Sequence, residues 1–149
     1  LFDHVNIDKA NTHVPNGHAD DLEEEAVRYE SFIQSLGGID LQLLGIGPNG
    51  HIGFNEPTDN FPATVHTVQL TESTINANSR LFERREDVPT QAITMGIGTI
   101  MKAKKILLIA GPDKAEIVEK ACFGKVTPEV PASVLQLHPD VTVILSAGK

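Results

Sequence analysis

The chain has little of what marks secreted, membrane-spanning or nucleic-acid-binding proteins. Its single cysteine, Cys122, cannot form an internal disulfide, which favours a reducing cytoplasm. The sequence shows no apolar run long enough to span a bilayer and no signal-peptide pattern. With 12 Lys and Arg against 20 Asp and Glu, the net charge of −8 argues against nucleic acids and anionic membranes as partners. We therefore expect a cytoplasmic protein, in which a few local cations could still bind a small anion.

Both ends of the sequence look like the interior of a domain. The chain opens at Leu1 without a methionine and stops at Lys149, shortly after a predicted strand. Frayed termini are more often polar or low in complexity. The 149 residues, 40% of them hydrophobic, suffice for one domain with a core. We interpret residues 1–149 as a single partial α/β domain, the C-terminal part of a longer one.

Hydrophobic periodicity predicts strands that alternate with helices. A helix is expected over residues 22–36, with Asp20 and Asp21 as N-cap candidates, a solvated acidic run and a stop at Gly37. Strands are expected at 39–46, 64–70, 92–95, 105–110 and 141–145, and helical segments at 71–85, 99–103, 114–122 and 131–137. This alternation predicts a Rossmann-like three-layer α/β/α fold with a mostly parallel sheet, helices covering both faces.

The most informative segment is the loop from Leu44 to Pro57, L-G-I-G-P-N-G-H-I-G-F-N-E-P. Its first glycines match the dinucleotide pattern G-x-G-x-x-G, but that pattern opens a long helix, which Gly53 and Pro57 disfavour. Loops at strand ends carry the chemistry of α/β proteins. His51 offers a group that transfers protons, and Asn49 and Glu56 can orient it. The six histidines show no metal-ligand spacing, so we expect no metal site.

The continuation H-I-G-F-N-E-P resembles the signature of the glucosamine-6-phosphate deaminase family. Further matches span almost the whole chain; they lie at 2–5, 78–80, 92–100 and 133–139. The resemblance implies conversion of glucosamine 6-phosphate and water to fructose 6-phosphate and ammonium, without an organic cofactor. The implied partner is thus a small sugar phosphate, and a homo-oligomer is compatible with it.

The resemblance also implies roles for the loop residues. His51 exchanges a proton with the ring oxygen of the sugar, and Glu56 helps to set the charge of that histidine. The third member of the group is often aspartate, whereas this chain has Asn49. The asparagine oxygen can accept the histidine N–H and fix the tautomer, but it supplies no charge to stabilise imidazolium. We therefore interpret the loop as a variant whose histidine lacks its usual carboxylate partner.

Phosphate binding is implied for two cations. Arg80 matches a residue of the family's active-site lid, and a guanidinium gives bidentate hydrogen bonds to phosphate. Lys114 follows a strand and is expected in the first turn of a helix, where backbone N–H groups also favour anions. Both residues are expected to contact the substrate phosphate.

Parts of the family pattern are not found in this sequence. The aspartate that acts as enolisation base and a glycine-rich phosphate loop are expected upstream of residue 1, so we expect the isolated chain to be inactive. In the family's regulated branch, cations after the E-P motif form an allosteric phosphate site. The matching stretch here carries Asp59, His66 and Val68, so the resemblance does not extend to that site.

Two other functions remain open at this point. A 6-phosphogluconolactonase has a similar fold and a related glycine-histidine loop, but that loop usually continues without the F-N-E-P found at 54–57. A sugar-phosphate-sensing domain of a transcription regulator is the second alternative. Such a domain would need an upstream DNA-binding module, and it would have little reason to keep Asn49, His51 and Glu56 together.

Overall fold

A computed structural model describes residues 2–147, without the side chains of Ser73, Ala77 and Asn78. The terminal residues Leu1 and Lys149, and the side chain of Asn78 in the 78–80 match, therefore lie outside the described residues. In chain order, the helices and strands are α1 (Leu22–Ser35), β1 (Leu41–Leu44), β2 (His66–Gln69), α2 (Glu72–Asn78), β3 (Gln91–Thr94), α3 (Ile97–Met101), β4 (Lys105–Ala110), α4 (Ala115–Phe123) and β5 (Val141–Leu145). Short 3-10 turns join them, including Ser79–Leu81, Pro112–Lys114 and Pro131–Leu137.

The main sheet contains three parallel strands in the order β1-β4-β5. In register, Leu41 pairs with Lys105, and Ile106 pairs with Val141. Strands β2 and β3 form a separate antiparallel pair, in which His66 lies opposite Thr94. The predicted parallel α/β fold is confirmed, and the two strands around residues 66–94 stand outside the main sheet.

One face of the main sheet carries the core. On it, Leu44, Ile106 and Leu108 are almost fully buried and belong to the same cluster as Val118 of α4 and Leu135 of the 131–137 turn. The opposite face is exposed over the described residues. Its exposed apolar side chains are Leu41, Leu43, Ile109 and Ile144. Within residues 2–147, helices therefore cover only one face of the main sheet, the face that carries Leu44, Ile106 and Leu108.

Helix α1 begins and ends where its sequence predicts. The Asp21 side chain accepts hydrogen bonds from the backbone N–H of Glu23 and Glu24, and Gly37 follows the helix with φ of 85°. The expectation of a solvated acidic run is wrong at Glu25, which is buried. Arg28 donates two hydrogen bonds to its carboxylate, which lowers the pKa of Glu25 to about 2.

None of the described helices is both long enough and apolar enough to cross a membrane.

Candidate active site

The loop after β1 folds back tightly on itself. The N–H of Gly50 donates to the Gly47 carbonyl at 3.0 Å, and the N–H of Gly47 donates to the His51 carbonyl at 2.9 Å. Gly50 has φ of 88°, and a β carbon there would lie 2.7 Å from Val130 Cγ1. Only glycine adopts this backbone against that neighbour without strain. The N–H of Ala132 donates to the Gly50 carbonyl at 2.8 Å, which anchors the turn that presents His51.

The His51 ring lies directly over the backbone of Gly47. A β carbon at Gly47 would lie 2.1 Å from His51 Cε1 and 2.3 Å from Nδ1, so no side chain fits there. A β carbon at Gly45, two residues earlier, would meet no atom within 4 Å. The two glycines therefore differ in function, since only Gly47 makes room for the histidine.

Asn49, His51 and Glu56 are in mutual contact. The Nδ1 of His51 lies 2.8 Å from Asn49 Oδ1 and 3.3 Å from Glu56 Oε1. The Asn49 amide donates to Glu56 Oε2 at 2.6 Å. Because both neighbours of Nδ1 are acceptors, the proton of the neutral ring resides on Nδ1. The Nε2 atom is then left to exchange protons, and the His51 and Glu56 side chains are 26% and 27% exposed.

His51 has a carboxylate partner even though the usual one at position 49 is missing. Position 49 supplies no charge, but Glu56 reaches the same ring nitrogen at 3.3 Å. Asn49 holds the other oxygen of that carboxylate and so orients it. The carboxylate beside Nδ1 therefore comes from the far end of the loop.

Lys114 lies across a pocket from this group. It ends the 3-10 turn Pro112–Lys114 and is the N-cap of α4, one residue before the helical turn in which it was expected. Its Nζ donates to Asp113 Oδ2 at 2.6 Å, which lowers the pKa of the Asp113 carboxyl. Asn49 and Lys114 both line a cavity of about 410 Å³ between the loop and α4. A second cavity, of about 340 Å³, lies beside His51 and Gly47.

Arg80 is separated from the loop. It is exposed on the 3-10 turn Ser79–Leu81, in the connection between β2 and β3. This connection joins the strands at the end where Gln69 pairs with Gln91. The glycine loop contacts the other end of the strand pair, at Thr94. Among the described residues, no hydrogen bond or ion pair joins Arg80 to Asn49, His51 or Glu56. The structure thus brings four of the five predicted site residues to one region.

Two polar residues that sequence reasoning did not single out support the loop. Asn55 is 2% exposed, and its Nδ2 donates to the carbonyls of Ile52 and Met95 at 2.9 and 2.8 Å. Thr94 is 6% exposed, and its hydroxyl accepts the N–H of Phe54 at 3.0 Å. Asn55 lies in the H-I-G-F-N-E-P segment and Thr94 in the 92–100 match, but their spacing in the sequence does not indicate that these two segments are in contact.

No cluster of three or more His, Cys, Asp or Glu residues in the described part of the chain has a geometry that could hold a metal ion.

The sequence model of the glucosamine-6-phosphate isomerases and 6-phosphogluconolactonases matches residues 1–144. The chain belongs to this family. The resemblance first inferred from the H-I-G-F-N-E-P segment is thereby confirmed. Within this isomerase and lactonase family, the assignment covers nearly all of the chain, including both the glycine loop and the segment with Arg80.

Curated members of the family are similar over nearly the whole chain. The glucosamine-6-phosphate deaminase of Lachnoclostridium phytofermentans is 66% identical over 145 residues, which cover 97% of this chain and 61% of the relative. That of Clostridioides difficile is 59% identical over 146 residues, which cover 97% of this chain and 59% of the relative. This family member therefore spans about three-fifths of the length of these relatives.

Solved structures of the family share the fold. A monomeric glucosamine-6-phosphate deaminase matches with a TM-score of 0.90 and 50% identity, over 99% of this chain and 61% of that one. The 6-phosphogluconolactonase of Thermotoga maritima matches with a TM-score of 0.69 and 20% identity, over 100% of this chain and 61% of that one. The second likeness shows a common fold alone.

Proposed function

We propose that this chain is the part of a glucosamine-6-phosphate deaminase that opens the sugar ring and binds the substrate phosphate. The complete enzyme converts glucosamine 6-phosphate and water to fructose 6-phosphate and ammonium. One observation carries the proposal: His51 Nδ1 is held between Asn49 Oδ1 and Glu56 Oε1 at 2.8 and 3.3 Å, with Nε2 left for proton exchange. The identity of 66% to a curated deaminase supports the same reaction.

Ring opening breaks the bond between C1 and the ring oxygen of the pyranose. The anomeric hydroxyl loses a proton as the carbonyl forms, and the ring oxygen gains one. In the proposal, Nε2 of neutral His51 takes the proton from the anomeric hydroxyl, and the imidazolium so formed delivers it to the ring oxygen, because a histidine changes charge near neutral pH. The Glu56 carboxylate, 3.3 Å from Nδ1, stabilises the imidazolium from which the proton comes. Asn49 fixes both partners through its oxygen and its amide.

Phosphate binding is assigned to Lys114 and Arg80. Lys114 faces the cavity that Asn49 also lines, at the start of α4, where backbone N–H groups favour an anion. Its Nζ donates to Asp113 Oδ2 at 2.6 Å. Arg80 lies on a connection between two strands, as a lid residue would, and it reaches the site only if that connection closes over the substrate.

The remaining steps need residues that this chain does not supply. The enolisation base and the glycine-rich phosphate loop are assigned to the N-terminal region of a longer domain, since the chain spans 61% of its Lachnoclostridium relative. The isolated chain then releases no ammonium. The single cysteine, Cys122, supports a cytoplasmic enzyme, and the net charge of −8 argues against nucleic acid or an anionic membrane as its partner.

The test uses a chimera in which this chain replaces the matching part of the Lachnoclostridium relative. We expect this chimera to release ammonium from glucosamine 6-phosphate, and we expect its His51→Gln variant to lose about 10²-fold or more in kcat. The isolated 149-residue chain is the control and should be inactive. A chimera that hydrolyses 6-phosphogluconolactone and releases no ammonium would contradict the proposal.

A further inference from the structure

The turn that precedes Glu56, residues 52–55, is closed by hydrogen bonds between its first and last residues. Ile52 and Asn55 face each other across it, and the Asn55 backbone N–H and side-chain amide both donate to the Ile52 carbonyl, at 3.2 and 2.9 Å. Ile52 is fully buried and Asn55 is 2% exposed. Glu56 itself is 27% exposed. The direction of its carboxylate therefore depends on how the buried turn before it is held.

The turn is held by residues about forty positions further along the chain. The Thr94 hydroxyl accepts the N–H of Phe54 at 3.0 Å, and the Asn55 amide donates to the Met95 carbonyl at 2.8 Å. A β carbon at Gly53 would lie 2.9 Å from the Thr94 hydroxyl, so the turn sits directly on it. These contacts fix the turn against the end of β3.

The strand end under the turn is paired and closely packed. Thr94 is the last residue of β3 and pairs with His66 of β2. Two residues later, a β carbon at Gly96 would lie 2.1 Å from the Thr64 carbonyl oxygen, so the two backbones are in direct contact. The Thr94 hydroxyl is buried at the end of a paired strand, so its neighbours hold it in place. Its hydrogen bond with the Phe54 N–H then fixes the position of the turn.

We propose that Thr94 and Asn55 are positioning residues, which hold turn 52–55 so that the Glu56 carboxylate points at His51 Nδ1. This inference rests on the proposed deaminase function. Removing the Thr94 hydroxyl leaves the partly buried N–H of Phe54 without its acceptor, and the turn shifts. Glu56 then loses its alignment with His51, although neither Thr94 nor Asn55 touches the reacting groups.

The first test compares Thr94→Val with Thr94→Ser in the active chimera. Valine keeps the shape of the side chain but has no hydroxyl, whereas serine keeps the hydroxyl. We expect Thr94→Val to lower kcat about tenfold, with KM for glucosamine 6-phosphate little changed. The acid limb of its kcat profile should move to lower pH, because a displaced carboxylate no longer favours the protonated imidazole. Thr94→Ser should have the kcat and the pH profile of the parent chimera. Equal losses in the two variants would overturn the proposal.

The second test separates positioning from a loss of stability. If Thr94 acts through Glu56, Thr94→Val should cost much less in kcat when it is added to Glu56→Gln than when it is made alone. Additive losses in this double-mutant cycle would overturn the positioning roles. A parent chimera that releases no ammonium would instead overturn the proposed function, so the two failures are distinguishable.

Discussion

The Glu56 carboxylate lies beside the His51 ring, with Oε1 3.3 Å from Nδ1. This pair joins two residues five positions apart through the turn 52–55, which the hydrogen bond from the Asn55 N–H to the Ile52 carbonyl closes. Asn49 occupies the space between them, with its oxygen toward the ring and its amide toward the carboxylate. The charge at Nδ1 therefore comes from one residue and the orientation from another, which allows the two contributions to be tested separately.

Removing the charge of Glu56 should affect both rate and pH dependence. In the chimera, we expect Glu56→Gln to lower kcat about 10²-fold, because the imidazolium that protonates the ring oxygen loses its carboxylate. The acid limb of the kcat profile should move to lower pH. Rates of ammonium release between about pH 5 and 9 measure both effects. Glu119→Gln, on the exposed side of α4, is the charge-matched control and should behave like the parent. Unchanged profiles in Glu56→Gln would contradict the assignment.

Adding a charge at position 49 should move the pH profile in the opposite direction. The Asn49 oxygen lies 2.8 Å from His51 Nδ1, so Asn49→Asp places a second carboxylate against the same nitrogen. More negative charge there favours the protonated ring, and the acid limb should move to higher pH. Asn11→Asp, on the 3-10 turn Lys9–Asn11, adds the same charge outside the loop. A profile for Asn49→Asp that coincides with that of Asn11→Asp would sink the hypothesis.

Two glycines of the same loop form a matched pair. A β carbon at Gly47 would lie 2.1 to 2.4 Å from three atoms of the His51 ring, whereas one at Gly45 would meet nothing within 4 Å. We expect Gly47→Ala to displace the ring and to lower kcat about 10²-fold. Gly45→Ala should remain close to the parent. Similar activities for the two variants in the chimera would show that the ring position is not critical.

Local signals in the sequence define several of the elements. Strands β4 and β5 begin and end at the predicted residues, 105–110 and 141–145, because each is one short apolar run. The N-cap at Asp21 and the stop at Gly37 define α1 in the same way. Strand β1 is shorter than the predicted 39–46, since Gly45 and Ile46 already belong to the loop that presents His51.

Contacts between distant residues could not be inferred in this way. The family resemblance gave Glu56 a part in setting the charge of His51, but the sequence does not show that Glu56 approaches Nδ1 or that Asn49 contacts both side chains. The support of that turn joins Phe54 to Thr94, 40 residues apart, through a hydroxyl and a backbone N–H. Backbone groups carry no sequence signal, so such a contact becomes visible only when the strand pair is placed.

Lys114 should contribute to substrate binding rather than to the chemical step. Replacing it by alanine removes the cation at the start of α4, and we expect KM for glucosamine 6-phosphate to rise roughly 10- to 100-fold with a smaller change in kcat. Lys104→Ala removes the same charge at the opposite end of β4, where Lys104 pairs with Asp40, and should leave KM unchanged. Equal KM values for both variants in the chimera would remove Lys114 from the phosphate site.

Glu30 connects α1 with the segments on both sides of the β2–β3 pair. Its Oε2 accepts hydrogen bonds from the Val65 N–H at 3.1 Å and from the Thr99 hydroxyl at 2.7 Å, and Oε1 accepts from Gln34 Nε2 at 3.0 Å. Burial alone raises the pKa of Glu30, but these hydrogen bonds, with the charge of Lys102, outweigh it and hold the pKa below 4.5. The ionised carboxylate therefore stabilises the fold above about pH 4.5, and this contribution is lost as the pH falls through the lower folded value.

We expect Glu30→Gln to lower the free energy of unfolding by about 1–3 kcal/mol at pH 7, because a glutamine oxygen cannot accept all three donors. The difference from the parent should shrink as the pH falls through the lowered pKa of the native carboxylate, where that group is also protonated. Denaturant unfolding of the chimera at several pH values measures this dependence. Glu24→Gln, exposed on the same helix, controls for the loss of charge. A difference between Glu30→Gln and the parent that is the same at every pH would show that the ionised form of Glu30 has no part in holding α1 to the strand pair.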